Sequence, residues 1–312
     1  NNLLILLVHE LNADVMELLD AKKEINLSSM SNTKRALSDA LSRNSAAISF
    51  ITLSFLTIMF LCTAYFLLSF DREQFINLPE VKEYDNLLEN VMIMDEWSRT
   101  KFYWVNNLKV ASTYATAFPI YTGTASILLT SRQIGLALVY NYHLHGPIVL
   151  LTFMAVIFLH GTLELTGAFI VGAASLRLGW KFWSYLGQVL ATGSWKTTKR
   201  GKAVARKYLV DYIILVALGL TLITIAAPIE AYLSPSASVL FLISPLLAIF
   251  FLAVVMFFFV SIIKAGFNPM LSGISLVMKD AKMLASGRWR PNQLPLLTFI
   301  LFFLLTWLGL LS

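Results

Sequence analysis

Long apolar runs separated by short polar stretches make up most of this chain. Residues 46–70, 208–227, 238–263 and 294–311 are such runs, and each approaches or exceeds the roughly 20 residues that a helical membrane span needs. Basic residues precede the first run, and Asp71 and Glu73 follow it. Because cytoplasmic flanks carry the excess of Lys and Arg, this first span runs from inside to outside. The pattern predicts an all-α protein, a polytopic membrane helical bundle.

The apolar stretch between residues 101 and 177 is less regular. One full span from Val110 to Thr130, entering from outside, fits its first part. The loop 177–207 carries many basic residues and no acid, so we predict that it is cytoplasmic, like the loop 264–293. An odd number of crossings must therefore separate residues 101 and 177.

The segment that follows Pro147 decides the span count. Pro147 to Leu159 is only 13 residues, about 20 Å of helix, whereas the hydrocarbon core is about 30 Å thick. We therefore predict that Pro147 to Leu176 forms a re-entrant pair of half-length helices with His160 and Gly161 at the tip. Three tightly packed crossings satisfy the same parity. The fold is then about five full spans plus a re-entrant helical hairpin, or alternatively seven spans.

Two polar segments flank the first span. Residues 1–45 contain an amphipathic pattern over residues 2–21 and a basic juxtamembrane stretch, which predicts a cytoplasmic N-terminal segment. Residues 71–101 read as an extracytoplasmic helical segment that begins at Pro79 and carries an apolar stripe through Val81, Tyr84, Leu88 and Val91. The outer segment is either a docking surface or a solvated cap over the bundle.

Composition supports membrane embedding. The 312 residues are 57% hydrophobic and 13% charged, about half the charged fraction of a soluble domain. The net charge of +6 therefore reports orientation, and no nucleic acid is expected as a partner. The one cysteine, Cys62, cannot form an intrachain disulfide.

His160 and Glu164 interrupt a run that is otherwise as apolar as a span. They lie four residues apart, so a helix places them on one face, and a carboxylate in hydrocarbon is costly unless protein or water surrounds it. Four roles are open for them: a structural pair between helices, a proton relay, an ion site or half of a metal site. Two ligands do not complete a metal site, so we predict no metal and no other cofactor. Small residues from Gly161 to Ala174 predict close helix packing.

The stretch 158–180 resembles the stage II sporulation protein M family of membrane proteins. The family signature runs Pro-His-Gly-x-x-Glu-Leu-Pro and then a Gly/Ala-rich stretch ending in Gly-Leu-x-Leu-Gly; Leu159 and Thr166 stand where the family has prolines. The matching or nearby motif residues are His160, Gly161, Glu164, Leu165, Gly172, Arg177 and Gly179, with Glu230 in an Ile-Glu-Ala-aromatic sequence and Asn106, Asn107 and Arg132 as secondary candidates. The resemblance covers residues 46–235, and residues 236–312 form an additional C-terminal transmembrane hairpin.

The resemblance implies a scaffold role, because the sporulation member localises cell-wall-degrading partners. No catalytic constellation is evident, so we predict a non-enzymatic scaffold or assembly subunit in the cell membrane. Its expected partners are membrane lipids and other membrane or envelope proteins, in an oligomer or a larger complex. The alternative is an ion or small-solute transporter or channel with a polar core around His160 and Glu164. An intramembrane hydrolase is a further, weaker alternative.

Overall fold

The computed structural model describes residues 30–115, 122–192, 199–287 and 293–307. Within these ranges the chain is helical and has no strand, which confirms the all-α prediction. The elements are α1 (Met30–Ser69), α2 (Arg72–Ile76), α3 (Pro79–Met92), α4 (Glu96–Ala115), α5 (Thr122–Thr192), α6 (Lys199–Pro228), a π-helical turn (Ile229–Leu233), α7 (Ser234–Ile243), α8 (Pro245–Ala285) and α9 (Leu294–Trp307).

Four helical stretches of the described chain are long and apolar enough to cross a membrane: Thr33–Ser69, Ser126–Thr192, Val204–Ile243 and Pro245–Ala285. The chain divides into two compact units, Asn1–Ser42 and Arg43–Ser312. The contacts below all lie within the second unit. The amphipathic helix predicted over residues 2–21 lies outside the described residues.

The long helix α5 reverses direction at Gly146. Ile127 and Gly172 are in contact, although 45 residues of continuous helix would hold them about 68 Å apart. The non-helical backbone inside α5 is at Gly146, with φ 82° and ψ −179°, a conformation that is essentially restricted to glycine. Pro147 then begins the returning helix, where its missing N–H costs nothing. We call the two arms α5a (122–145) and α5b (147–192).

This geometry corrects the predicted tip of a re-entrant hairpin. His160 and Gly161 lie inside the continuous helix α5b, so the prediction of a turn at these residues was wrong. The physical reason is that the Gly146–Pro147 pair supplies both the positive φ and the absent donor that a sharp reversal requires. Gly161 is followed by Thr162 and not by a proline, and a helix tolerates a single glycine.

The predicted span from Val110 to Thr130 was also wrong. Helix α4 ends at Ala115, and α5 begins at Thr122, beyond six residues outside the described ranges. The Tyr114 and Thr130 side-chain oxygens are 2.6 Å apart, whereas one straight helix would separate these residues by about 24 Å. Their hydrogen bond places α4 and α5a side by side.

Helices α4 and α6 run antiparallel. Trp104 Nε1 donates to the Thr224 carbonyl at 2.8 Å, and the Tyr212 hydroxyl donates to the Ala115 carbonyl. The earlier residue of α4 contacts the later residue of α6, and the later residue of α4 contacts the earlier one, so the two helices run in opposite directions. Helix α4 therefore lies along the most apolar part of α6.

Aromatic rings join α1, α5b and α8. Phe169 of α5b has its ring centroid 5.0 Å from that of Phe55 in α1 and 5.9 Å from that of Phe259 in α8. Phe158, eleven residues before Phe169 in α5b, also packs on Phe259, with the two ring centroids 6.1 Å apart. Such edge-to-face pairs add about 0.5–1.5 kcal/mol each to the burial of the rings.

Helix α3 confirms the helix predicted from Pro79. Its buried Val81 and the buried Phe75 of α2 form a cluster with Leu136, Val139 and Tyr140 of α5a. Arg132 binds Glu80 at 3.0 Å, and the Tyr140 hydroxyl donates to Asp85. The segment is therefore docked on α5a and is not a free loop.

Candidate functional site

Two prolines shape the backbone where α6 meets α7. Pro228 has no N–H, so the Thr224 carbonyl lacks its usual helical donor and instead accepts the Trp104 indole N–H. Pro235 likewise cannot donate to the carbonyl four residues earlier. Between them the Ser234 N–H bonds to the Ile229 carbonyl, five residues back, which makes a π-helical turn. Single π turns occur frequently at functional sites.

This turn brings Glu230 to the motif residues of α5b. One ligand atom from each of His160, Glu164 and Glu230 lies within 4.8 Å of the other two. His160 Nε2 is 3.7 Å from Glu230 Oε1, and His160 is buried. Among the described residues, no hydrogen bond joins His160 to Glu164. The partner of the histidine is thus the acid on the neighbouring helix.

Ser234 is the hydrogen-bond partner of the other imidazole nitrogen. His160 Nδ1 lies 3.1 Å from Ser234 Oγ, and the same hydroxyl donates to the Ile229 carbonyl at 3.4 Å. When the hydroxyl gives its proton to this carbonyl, Ser234 Oγ accepts from Nδ1–H, and Nε2 presents its lone pair toward Glu230. When the hydroxyl instead donates to Nδ1, the proton is on Nε2 and faces the Glu230 carboxylate.

Helix α4 closes the cluster on another side. The Asn107 side chain lies beside Glu230, and its buried Nδ2 atom makes no well-formed hydrogen bond within the described structure. Tyr114 is close enough to Glu164 for an electrostatic interaction. Asn106, in contrast, is exposed.

The remaining motif residues fall into packing positions. Leu165, Gly172 and Gly179 are buried in α5b. A Cβ at Gly172 would come within 2.2 Å of Ile127 Cδ1, so the end of that side chain would have to move. A Cβ at Gly161 would meet only Ile157 Cγ2, at 3.7 Å, which is ordinary contact.

The two predicted arginines do not join the cluster. Arg132 packs over Phe66, 5.7 Å from the ring centroid, and pairs with Glu80. Arg177 donates to the Arg43 carbonyl and stacks on Tyr208 at 4.9 Å.

A second polar cluster at Arg177 was missed by the sequence reading. Arg43 makes a bidentate pair with Asp211, with distances of 2.8 Å to Oδ2 and 2.5 Å to Oδ1, and the Asp211 side chain is only 6% exposed. A signal was present, since Asp211 is the acid inside the apolar run 208–227. Ser234 and Tyr114 carried no such signal, because Ser and Tyr are common in spans and at their ends.

The cluster of His160, Glu164 and Glu230 can do two kinds of chemistry. Two carboxyl groups and an imidazole lone pair are all acceptors, so a shared proton or a bound cation satisfies them. The arrangement is typical of an ion or proton site and also of a structural link between α5b and the π turn.

Comparison with known proteins places the chain in one family. No curated protein and no solved structure matches it. A family model described as Stage II sporulation protein M matches residues 30–235, a range that contains the motif in α5b, the cluster and the docked helices α2 and α3. This match covers well over half of the 312 residues, and the chain therefore belongs to the stage II sporulation protein M family.

Proposed function

We propose that this protein is a non-enzymatic membrane scaffold or assembly subunit that holds partner proteins in a complex. The observation that carries the proposal is a polar exposed face on α4. Asn106, Lys109 and Thr113 are exposed along this helix, at spacings of three and four residues that place them on one side. Lys109 falls between Trp104 and Ala115, the two residues of α4 that bond to α6.

This face lies alongside an apolar helix. The stretch Val204–Ile243 contains an 18-residue window with mean hydropathy 2.4, so in a bilayer α4 and its Lys109 lie at the depth of the hydrocarbon. A Lys or Asn side chain facing lipid there is costly, and such residues face protein or water in membrane proteins. A second protein chain against α4 removes this cost, which favours an assembly role.

The proposed topology is the alternative with three crossings between residues 101 and 177. The outer segment α2–α3 is extracytoplasmic, and α4, α5a and α5b cross in alternating directions. With α1, α6, α8 and α9 the bundle has seven spans. The basic segments 177–207 and 264–293, which include the C-terminal parts of α5b and α8, are cytoplasmic by their charge. The cell membrane and its lipids surround it. Exposed Leu87 and Ile93 near the outer acids add a surface for envelope proteins.

Photo-crosslinking in native membranes tests the assembly role. A photo-reactive amino acid replaces Lys109, and in a matched control it replaces Phe257, an exposed apolar residue of α8. We expect a protein adduct from position 109 and only lipid adducts from position 257. If position 109 gives no protein adduct, and a Lys109→Cys protein in a Cys62→Ala background reacts with a water-soluble maleimide, the face lines water and the scaffold proposal fails.

A second candidate function is transport of an ion or small solute. It is favoured by the convergence of His160, Glu164 and Glu230 within 4.8 Å, because transporters place polar groups at broken helices near mid-depth. Ion flux into vesicles that contain the reconstituted protein tests it. Flux that is lost in Glu164→Gln supports transport, whereas absence of flux above that of empty vesicles removes this candidate.

A further inference from the structure

We propose that His160, Glu164 and Glu230 bind one divalent first-row transition-metal ion, with Zn²⁺ preferred. This inference does not depend on the scaffold role, because a metal would link α5b to the π turn in either function. The prediction of no metal rested on two ligands in α5b, and the third ligand comes from a distant part of the sequence.

The donor set and its spacing fit such an ion. An imidazole nitrogen with two carboxylates is a ligand combination of Zn²⁺ and of non-haem iron or manganese, whereas Ca²⁺ and Mg²⁺ take oxygen ligands. Ligand atoms at about 2.0–2.2 Å from one ion lie within about 4.4 Å of each other. The observed 3.7 Å from His160 Nε2 to Glu230 Oε1 already meets this limit. All three ligand atoms lie within 4.8 Å of one another, so a small side-chain movement brings the remaining distances below this limit.

The histidine is prepared for metal binding by its other nitrogen. Metal-bound imidazoles usually donate their second N–H to a protein oxygen, which fixes the tautomer and the ring orientation. His160 has this arrangement, since Nδ1 bonds to Ser234 Oγ at 3.1 Å and Ser234 bonds to the Ile229 carbonyl. In the tautomer with the proton on Nδ1, the Nε2 lone pair points into the cluster.

Asn107 of α4 supports the third ligand. This residue is 6% exposed, and its side chain lies within hydrogen-bonding reach of Glu230. Carboxylates that bind a metal are usually hydrogen-bonded by a neighbouring group, which orients them. Asn107 is placed to orient Glu230 in this way.

Charge balance favours the ion over an empty cluster. Two carboxylates and a neutral imidazole carry a total charge of −2, which one divalent ion cancels. A neutral site suits the interior of a helical bundle, where an uncompensated charge is expensive. Without the metal, the two carboxyl groups need protons, and that state is the competing outcome of the test.

Metal analysis of the full-length protein tests the site. The protein is purified in mild detergent with an affinity tag that contains no histidine, its bound metals are counted, and the metal-free protein is titrated with Zn²⁺. We expect one ion per chain in the wild type. Glu230→Gln should weaken Zn²⁺ binding by more than about 100-fold, and Ser234→Ala by about 10–100-fold, the range for residues that orient a ligand.

Glu89→Gln is the matched control, because it removes one exposed carboxylate of α3 far from the cluster in sequence. It should leave the Zn²⁺ affinity unchanged. Zn²⁺ should also raise the apparent unfolding temperature of the wild type and the Glu89→Gln protein, but not of Glu230→Gln, since a ligand stabilises only the state that binds it.

The proposal is overturned if the wild type neither contains nor binds a transition metal, which would leave the protonated cluster. Equal Zn²⁺ affinity in wild type and Glu230→Gln also overturns it. If Glu230→Gln does not fold, Ser234→Ala decides, because that change keeps all three ligands. An unchanged affinity in that protein then contradicts the site.

Discussion

Gly167 and Gly219 bring the backbones of α5b and α6 into direct contact. A Cβ at Gly167 would lie 2.6 Å from the Gly219 carbonyl oxygen, and a Cβ at Gly219 would lie 2.6 Å from the Gly167 carbonyl oxygen. Side chains of Val171 and Ile223 also approach these positions, but the two carbonyl oxygens are backbone atoms, so side-chain rotation alone does not relieve the clash. Small residues at facing positions allow this close packing in membrane helices. The approach fixes the distance between the helix that holds His160 and the helix that leads to Glu230.

Gly219→Ala should therefore destabilise the bundle. We expect a loss of about 1–3 kcal/mol, the usual cost of overpacking, even though alanine is the better helix former. The measurement is the apparent unfolding temperature in detergent. Gly273→Ala is the control, because a Cβ at that glycine of α8 meets nothing within 4 Å. A Gly219→Ala protein as stable as Gly273→Ala would contradict the close approach.

The sequence was sufficient for the elements whose pattern is local. Helix α3 was predicted because Pro79 suits a first helical position and Val81 begins an apolar stripe, and the structure buries that stripe against α5a. The all-helical character followed from long apolar runs. These features depend on spacing within one segment, which periodicity reads directly.

The reversal and the site depended on contacts between distant segments. Two His-Gly sequences, at residues 145–146 and 160–161, were both candidates for a turn. The chain turns at the first, where a proline follows the glycine. The π turn that aims Glu230 at His160 needs Pro228, Pro235 and the Trp104 donor on another helix. No periodicity within α6 or α7 predicts that combination.

Gly146→Ala should weaken the turn between α5a and α5b. The φ of 82° with ψ of −179° is strained for any residue with a Cβ, although no neighbouring atom lies within 4 Å of the added group. We expect a loss of about 1–3 kcal/mol from backbone strain alone. Gly161→Ala, inside α5b, should cost nothing and can gain up to about 1 kcal/mol from helix propensity. Equal unfolding temperatures for the two variants would contradict this assignment of the turn.

Asp211→Ala should destabilise the cluster at the other end of the bundle. The change removes the carboxylate that makes the bidentate pair with Arg43, and Asp211 is 6% exposed while Arg43 is 32% exposed. Breaking a fully buried pair costs about 3–5 kcal/mol, and the partial exposure of Arg43 lowers our expectation to about 2–3 kcal/mol.

The double variant Arg43→Met with Asp211→Leu checks the cause of that loss. Replacing both charges by apolar groups is often neutral, so the double variant should be more stable than Asp211→Ala. Chemical unfolding of all three proteins provides the measurement. A double variant that is less stable than Asp211→Ala would show that the pair is not the origin of the effect.

The pair of Glu80 and Arg132 should make docking of α3 on α5a depend on pH. The pKa of Glu80 is lowered from its ordinary value of 4.5, first by a hydrogen bond from its own backbone N–H and then by the Arg132 side chain. A carboxyl whose pKa is lower in the folded state stabilises that state above pH 4.5, and the contribution disappears as the pH falls through the lowered value. Because both side chains are nearly half exposed, the gain at neutral pH is below about 1 kcal/mol.

The difference in unfolding temperature between wild type and Glu80→Gln should thus be present at pH 7, shrink below pH 4.5 and decrease in high salt, which screens exposed pairs. A difference that stays constant over this pH range would mean that the ion pair does not hold α3 on α5a.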